Sequence, residues 1–442
     1  MSNISGGCVA KRSLESKPIT AAVLGDPVPF PVGGQAPSLR ANVKWMSAGT
    51  AFYAICQWGM LSILAKAGSA AIVGQFALGL AISAPVFMFT NLQLRAVQTT
   101  DARSDFDFAD YFTLRVLASV VAVLTIGIVA SFLNYGVVTR LVISLLGVAK
   151  AIESLGDAVA GLLQKVERIH QVAISLILRG ALSLAAFGIA FLSLRSLIAA
   201  VCALFLSWSA VFLGYDVWRG RAVLREGEHF FRFRPENLKR LVAISVPLGV
   251  IMTLFSLNAN IPRYLLAKYL GDSKLGIFAS IAYMLQGLYV LVNAIGESAS
   301  ARLARMFAMG DADGFRKLIE KLLGMGGAIF VLGPVLARFF GRTFLTILYR
   351  PEYADSVSVL AVMLMGGGVT AIGYFLGFGI NAARRFRLQV PVIAFSTLTT
   401  TALTGVLVPR LGIMGAALAL FVGALVHAAG NAIALRSALR PV

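Results

Sequence analysis

The sequence predicts an all-α, polytopic membrane protein: about twelve transmembrane helices in two six-helix lobes related as parallel repeats. Three observations carry this. Hydrophobic residues make up 58% of the 442 positions, charged residues only 13%, and mean hydropathy is +0.82. A soluble domain carries about 25% charged residues, so a water-exposed surface cannot be covered with this material. Second, the apolar residues fall into runs of the length that crosses a hydrocarbon core of about 30 Å as a helix, roughly 20 residues. Third, the chain repeats itself at a shift of 202 residues, a little under half its length.

In chain order, residues 1–43 form an expected flexible cytoplasmic tail: the first 40 residues hold five of the 14 prolines and no long apolar stretch. Without a compact apolar core after a basic start, the tail does not read as a secretory signal. Twelve apolar segments follow at about 44–66, 70–93, 112–133, 138–163, 170–194, 196–218, 240–265, 275–300, 318–338, 354–381, 388–409 and 411–435. Strands of a transmembrane barrel would be about ten residues long with alternating polarity, which these are not. The expected division is an N-lobe at 44–218, a basic cytoplasmic linker at 219–239, a C-lobe at 240–436 and a cytoplasmic C-terminus at 437–442.

The formal net charge of +19 raises nucleic acid as a partner, but the cations lie between apolar runs and on no basic helix or aromatic platform, so no nucleic acid is expected. Topology accounts for them better. With the N-terminus in the cytoplasm, 27 of the 39 Lys and Arg fall on the cytoplasmic side, ten outside and two within segments. Cations are retained on the cytoplasmic side during insertion, so both termini are expected there. Contact of these clusters with anionic membrane lipids is the alternative use.

The repeat emerges when residues 64–91 are set on 266–293. Leu64-Ala65-Lys66 meets Leu266-Ala267-Lys268, Gly74 meets Gly276, Phe76-Ala77 meets Phe278-Ala279, and Asn91 meets Asn293. Six helices per half leave both copies the same way up, a recurrent transporter plan with the substrate between the halves.

No catalytic, metal or cofactor motif stands in a suitable setting. The three cysteines and three histidines are scattered, and no Walker-type, GxSxG or HExxH sequence occurs in a fitting context, so neither an enzyme nor a cofactor is expected. The informative residues are ionisable groups inside apolar segments, which are costly unless paired or solvated. Lys150, Glu153 and Asp157 share one helical face, and Arg179 lies at similar depth on the next helix. They read either as an ion-pair cluster pinning two helices or as a proton or cation relay. Glu297 is a further ion-coupling candidate, whereas Asp216 reads as an ordinary surface carboxylate. Towards the outer side, Pro262 is expected to break the helix ladder, with Asn258, Asn260 and Arg263 around it offering donors and acceptors to sugar hydroxyls and a planar fork to phosphate. Gln57, Asn91 and Asn293 add polar groups that could border the same cavity, and Lys66 and Lys268 contribute to a basic outer mouth.

Three stretches carry a family resemblance. They are Ala149-Lys150-Ala-Ile-Glu153-Ser154-Leu-Gly-Asp157, Ser256-Leu-Asn258-Ala-Asn260-Ile-Pro262-Arg263-Tyr264, and Leu411-Gly412-Ile413-Met414-Gly415-Ala416-Ala417. From about residue 44 to 435 the chain resembles oligosaccharide flippases of lipopolysaccharide and polysaccharide biosynthesis. These form the polysaccharide transport group of the multidrug/oligosaccharidyl-lipid/polysaccharide (MOP) exporter superfamily. The resemblance implies a MOP/MATE-like bundle with a central cavity in a bacterial inner membrane, alternately open to either side. It further implies transfer of an oligosaccharide on undecaprenyl pyrophosphate to the periplasmic leaflet, driven by an H⁺ or Na⁺ gradient, alongside other polysaccharide assembly proteins. Arg263 and Arg179 would face the pyrophosphate. Ala160, standing before Gly161 where an aromatic is usual, departs from the pattern. A drug–cation antiporter and a membrane-embedded polysaccharide polymerase or ligase are the competing readings.

Overall fold

The computed structural model describes residues 39–101, 104–224 and 227–439; of the expected tail at 1–43, residues 1–38 lie outside them, as do 440–442 of the expected C-terminus. The helices are α1 Leu39–Ala67, α2 Ala70–Thr90, α3 Leu94–Thr100, α4 Phe108–Phe132, α5 Val137–Lys165, α6 Ile169–Leu194, α7 Leu197–Val211, α8 Val217–Arg221, α9 Pro235–Ala308, α10 Ala312–Leu348, α11 Pro351–Ala354, α12 Val357–Ala382, α13 Gln389–Leu411 and α14 Ile413–Ala438. No strand occurs among the described residues. Where hydrocarbon offers no hydrogen bonds, only structures that satisfy their own backbone can span, and helices do so within each segment.

Ten of these helical stretches are long and apolar enough to cross a membrane. Two observations reconcile ten with the twelve expected. The 74-residue α9 turns back at Gly271 (φ 76°, ψ 178°), a backbone geometry open to glycine, and so supplies two crossings. α5 has 29 residues but carries Lys150, Glu153 and Asp157 through its middle, which lowers its apolarity without shortening it.

Local signals set several boundaries. Ser69 and Ser196 cap α2 and α7 through their hydroxyls, and Asp107 with Asp110 closes a capping box at the start of α4. Asp311 caps α10 by accepting from the Gly314 amide. Two local expectations fail. Helix α9 runs on through Pro262, a residue tolerated in membrane helices where neighbouring groups satisfy the freed backbone. The stretch 339–353, which falls between the expected segments 318–338 and 354–381, is helical as far as Leu348.

In the first half α1 packs on α6, α6 on α7, and α5 on both α2 and α4; in the second, α12 packs on α10 and α14, and α13 on α14 and α9. The halves meet chiefly where α2 lies against α9. A Cβ on Gly74 would fall into the carbonyl of Asp272, and one on Gly276 into the carbonyl of Ala70. The shift of 202 positions that aligns the sequence repeat also exchanges these two contacts, as an axis running between the halves requires. The contact lies at the end of the bundle predicted to face outside. There Trp58 Nε1 donates to Tyr349 Oη (2.9 Å) and Lys66 Nζ to the Ile347 carbonyl (2.6 Å), joining the halves again.

Candidate functional site

A cavity of about 380 Å³ opens in the half of the first lobe predicted to lie towards the cytoplasm. Every residue lining it falls between Ala84 and Arg179, on α2 to α6. Its geometry begins where α2 ends. Leu92 (φ 50°) and Gln93 (φ 52°) adopt the left-handed conformation, uncommon for residues other than glycine. That break turns the chain into α3 and carries Arg95 back over α5. Arg115 reaches the same place from α4, and Arg179 from α6.

Three carboxylates and four cations form the charged set. Asp157 bridges two guanidiniums, Arg95 Nη1 at 2.9 Å and Arg115 Nη2 at 3.3 Å, while Arg95 Nε also donates to Gln164 Oε1 at 3.1 Å. Glu153 accepts from Lys150 Nζ at 2.6 Å and from Tyr53 Oη at 2.6 Å; Gln57 in turn donates to Tyr53 Oη at 2.7 Å. The Lys150 ammonium sits 5.4 Å from the ring centre of Trp208, within cation–π range. Arg179 is paired to Asp216 at 2.8 Å, and Ser175 Oγ donates to the other Asp216 oxygen at 2.6 Å. Gly156 leaves room for the Arg179 guanidinium, with which a Cβ would collide.

Burial separates these pairs. Arg179 and Asp216 are 5% and 2% exposed, so their pairing is internal to the lobe. Arg115 is 1% exposed, and its Nε and Nη1 have no partner. A buried guanidinium using one of its five donors is costly, and the unsatisfied ones beside a cavity favour an anion there.

Of the residues nominated from sequence, Asn91, Lys150, Glu153, Asp157 and Arg179 line the cavity, and Gln57 joins it through Tyr53. Ser154 Oγ donates to Asn91 Oδ1 at 2.5 Å. The others lie elsewhere. Arg263 donates to Asn260 Oδ1 (3.0 Å) and stacks over Tyr283; Asn260 donates to the Ser256 carbonyl; Asn258 shares that stretch of α9. Asn293 and Glu297 are exposed on the second limb of α9. Lys66 is bonded to the end of α10, and exposed Lys268 rests over Tyr269.

Sequence reasoning missed Arg95, Arg115 and Asp216. Asp216, read as an ordinary surface carboxylate, is a buried partner, set on a five-residue π turn at Phe212–Asp216 that continues α7. Such turns are rare and often mark functional positions. Arg95 and Arg115 stand near segment ends, where they read as topology signals. Three outer cations, of which only Lys66 was nominated from sequence, hold helix carbonyls. Arg195 Nη1 donates to the carbonyl of Ala67 and Arg350 Nε to that of Lys66, while Lys66 itself holds the Ile347 carbonyl. These outer cations serve the negative C-terminal ends of α1 and α10. Among the described residues no cluster of His, Cys, Asp and Glu could hold a metal.

No protein-family model matches the chain. It is 26% identical over 378 residues to the capsular polysaccharide biosynthesis protein CapF of Staphylococcus aureus, covering 85% of this chain and 94% of that protein. Its fold is similar to the lipid II flippase MurJ in an inward closed conformation, with TM-score 0.69, 11% identity, and coverage of 88% of this chain and 87% of that one. It is similar also to an inward-facing multidrug resistance MATE family transporter of the MOP superfamily, with TM-score 0.61, 12% identity, and coverage of 92% and 96%. The chain therefore has the fold of MOP superfamily transporters and is a multi-pass membrane protein.

Proposed function

We propose that the protein is a flippase of the polysaccharide transport group. It carries a polyprenyl-pyrophosphate-linked oligosaccharide from the cytoplasmic to the periplasmic leaflet of a bacterial inner membrane for cell-surface polysaccharide synthesis. The carrying observation is Arg115, a guanidinium 1% exposed with two unpartnered nitrogens, at the wall of a cavity lined by four cations and two carboxylates, Glu153 and Asp157. Such a wall suits a phosphate-bearing head group. The similarity to a capsular polysaccharide biosynthesis protein and the MurJ-like fold support the choice of cargo class.

Movement follows from the two lobes. With the halves in contact at the outer end, the head group loads from the cytoplasmic side while the polyprenyl tail stays in lipid; parting the outer contact and closing the inner end delivers it. The polyprenyl chain never needs to enter the polar cavity. An H⁺ or Na⁺ gradient drives the cycle, with Glu153, Lys150 and Tyr53 as the group whose charge pairing changes. Both termini lie in the cytoplasm, and the protein performs no bond chemistry on its cargo.

A drug–cation antiporter needs cavity carboxylates free of opposing cations, whereas Glu153 and Asp157 are each matched by a cation. The deciding experiment is reconstitution in liposomes with a lipid-linked oligosaccharide. The cargo should cross to the other leaflet chemically unchanged, dependent on an imposed ion gradient. Transfer of sugar to an acceptor, or export of organic cations with no lipid movement, would reject the proposal.

A further inference from the structure

The structure assigns Asp157 the part of an internal stand-in for phosphate: its carboxylate occupies the place between Arg95 and Arg115 for which an entering phosphate competes. This rests on the cavity receiving a phosphate-bearing head group, and it names the seat.

The argument begins with what each guanidinium has left to give. Arg179 is paired with Asp216, whose second oxygen is taken by Ser175, and only its Nε lacks a partner, against two nitrogens on Arg115. Lys150 is matched by Glu153. Arg115 spends only Nη2 on Asp157, at 3.3 Å, and its Nε and Nη1 have no partner. Arg95 is likewise held by a single Asp157 oxygen. Asp157 thus offers one oxygen to each arginine, where a planar guanidinium can take two from one anion. A phosphate or pyrophosphate brings more oxygens to the same gap.

Mobility decides which group yields. Arg115 is buried at 1% exposure and cannot follow a ligand outward. The Asp157 side chain is 33% exposed and can turn into the cavity. Two anions against one pair of guanidiniums repel each other, so phosphate replaces Asp157 and does not add to it.

This gives an unusual sign. Removing a charge from a binding wall ordinarily weakens binding, but here the charge removed is a competitor. The detergent-solubilised full chain is titrated with inorganic pyrophosphate, with the melting temperature and heat of binding as readouts. Asp157→Asn is expected to bind pyrophosphate about five- to tenfold more tightly than the unaltered protein, the range set by loss of one competing, partly screened ion pair. Arg115→Gln is expected to weaken binding about tenfold or more; if it does not fold, Arg95→Gln supplies the same test with a more exposed arginine. Equal or weaker binding by Asp157→Asn overturns the assignment, as does full binding by both arginine variants. Failure of either form to bind pyrophosphate overturns it too. Liposome transport separates this from the proposed function. Flipping by a protein that binds no pyrophosphate condemns this seat alone, and tighter binding by Asp157→Asn without any flipping condemns the flippase reading alone.

Discussion

A Cβ built on Gly276 would sit 2.9 Å from the amide nitrogen of Gly74, so the two glycines bring α9 and α2 to backbone contact at the outer end. Each also accommodates a carbonyl of the other helix, Asp272 for Gly74 and Ala70 for Gly276. A side chain at either position cannot be housed by moving a flexible neighbour, because the obstacle is main chain. The contact is therefore a seal whose tightness depends on two hydrogen atoms.

Gly74→Val is expected to hold the outer end apart. Overpacking of this kind costs about 1–3 kcal/mol, enough to shift an open–closed balance about fivefold or more. Labelling of a cysteine at Ser280 by an impermeant reagent should rise accordingly, while membrane insertion is unchanged. Unaltered labelling would show that the seal lies elsewhere.

The same seal should respond to external pH through Asp272. Burial raises its carboxyl above the ordinary range, and a hydrogen bond from Gln75 only partly opposes this. A raised carboxyl favours the protonated form in the closed arrangement. Its contribution is complete below the ordinary carboxylate value, about 4, and is lost as pH rises through the higher value of the closed state. Outer-face labelling should increase with pH over that window, and Asp272→Asn should flatten the dependence. A slope that survives Asp272→Asn belongs to another group.

Arg179 and Asp216 should behave as a buried pair. Asp216→Asn, which leaves the guanidinium uncompensated, is expected to cost about 3–5 kcal/mol, seen as a fall in melting temperature. Replacing both by apolar residues, Arg179→Met with Asp216→Leu, should restore most of that stability. If the double variant is no more stable than the single one, the pair does more than neutralise itself.

Topology has a direct check. A cysteine at Glu228 should be shielded from an impermeant thiol reagent in intact cells, and one at Lys274 should react. The reverse pattern would invert every inside and outside assigned above.

Much of this architecture is legible in the chain because the membrane imposes a length on each crossing. The twelve segments and the repeat follow from run lengths and from matched residues such as Gly74 and Gly276. Lys150, Glu153 and Asp157 were also visible, since spacings of three and four put them on one face. Their partners were not. Arg95 reaches Asp157 only because Leu92 and Gln93 take left-handed backbone conformations that no local signal announces. Asp216 reaches Arg179 from a π turn, which shifts the helical register by one residue. Lys66 was visible too, but its contact was not. Lys66 reads as a ligand group in a list of charges, yet it holds a helix carbonyl, as do Arg195 and Arg350.

The cavity draws its whole lining from residues 84–179, although the sequence repeat relates the two halves. Two copies of one scaffold have thus parted company in their duties. In the proposed cycle the first half, which holds this charged wall, grips, and the second serves as the counterweight against which it swings. A molecule gripped by one half alone exerts no pull across the divide, so the cargo itself need not be stretched or released from one half to the other during the crossing. For the proposed cargo, that arrangement would tolerate wide variation in the sugars hung beyond the phosphate, because the grip is on the handle.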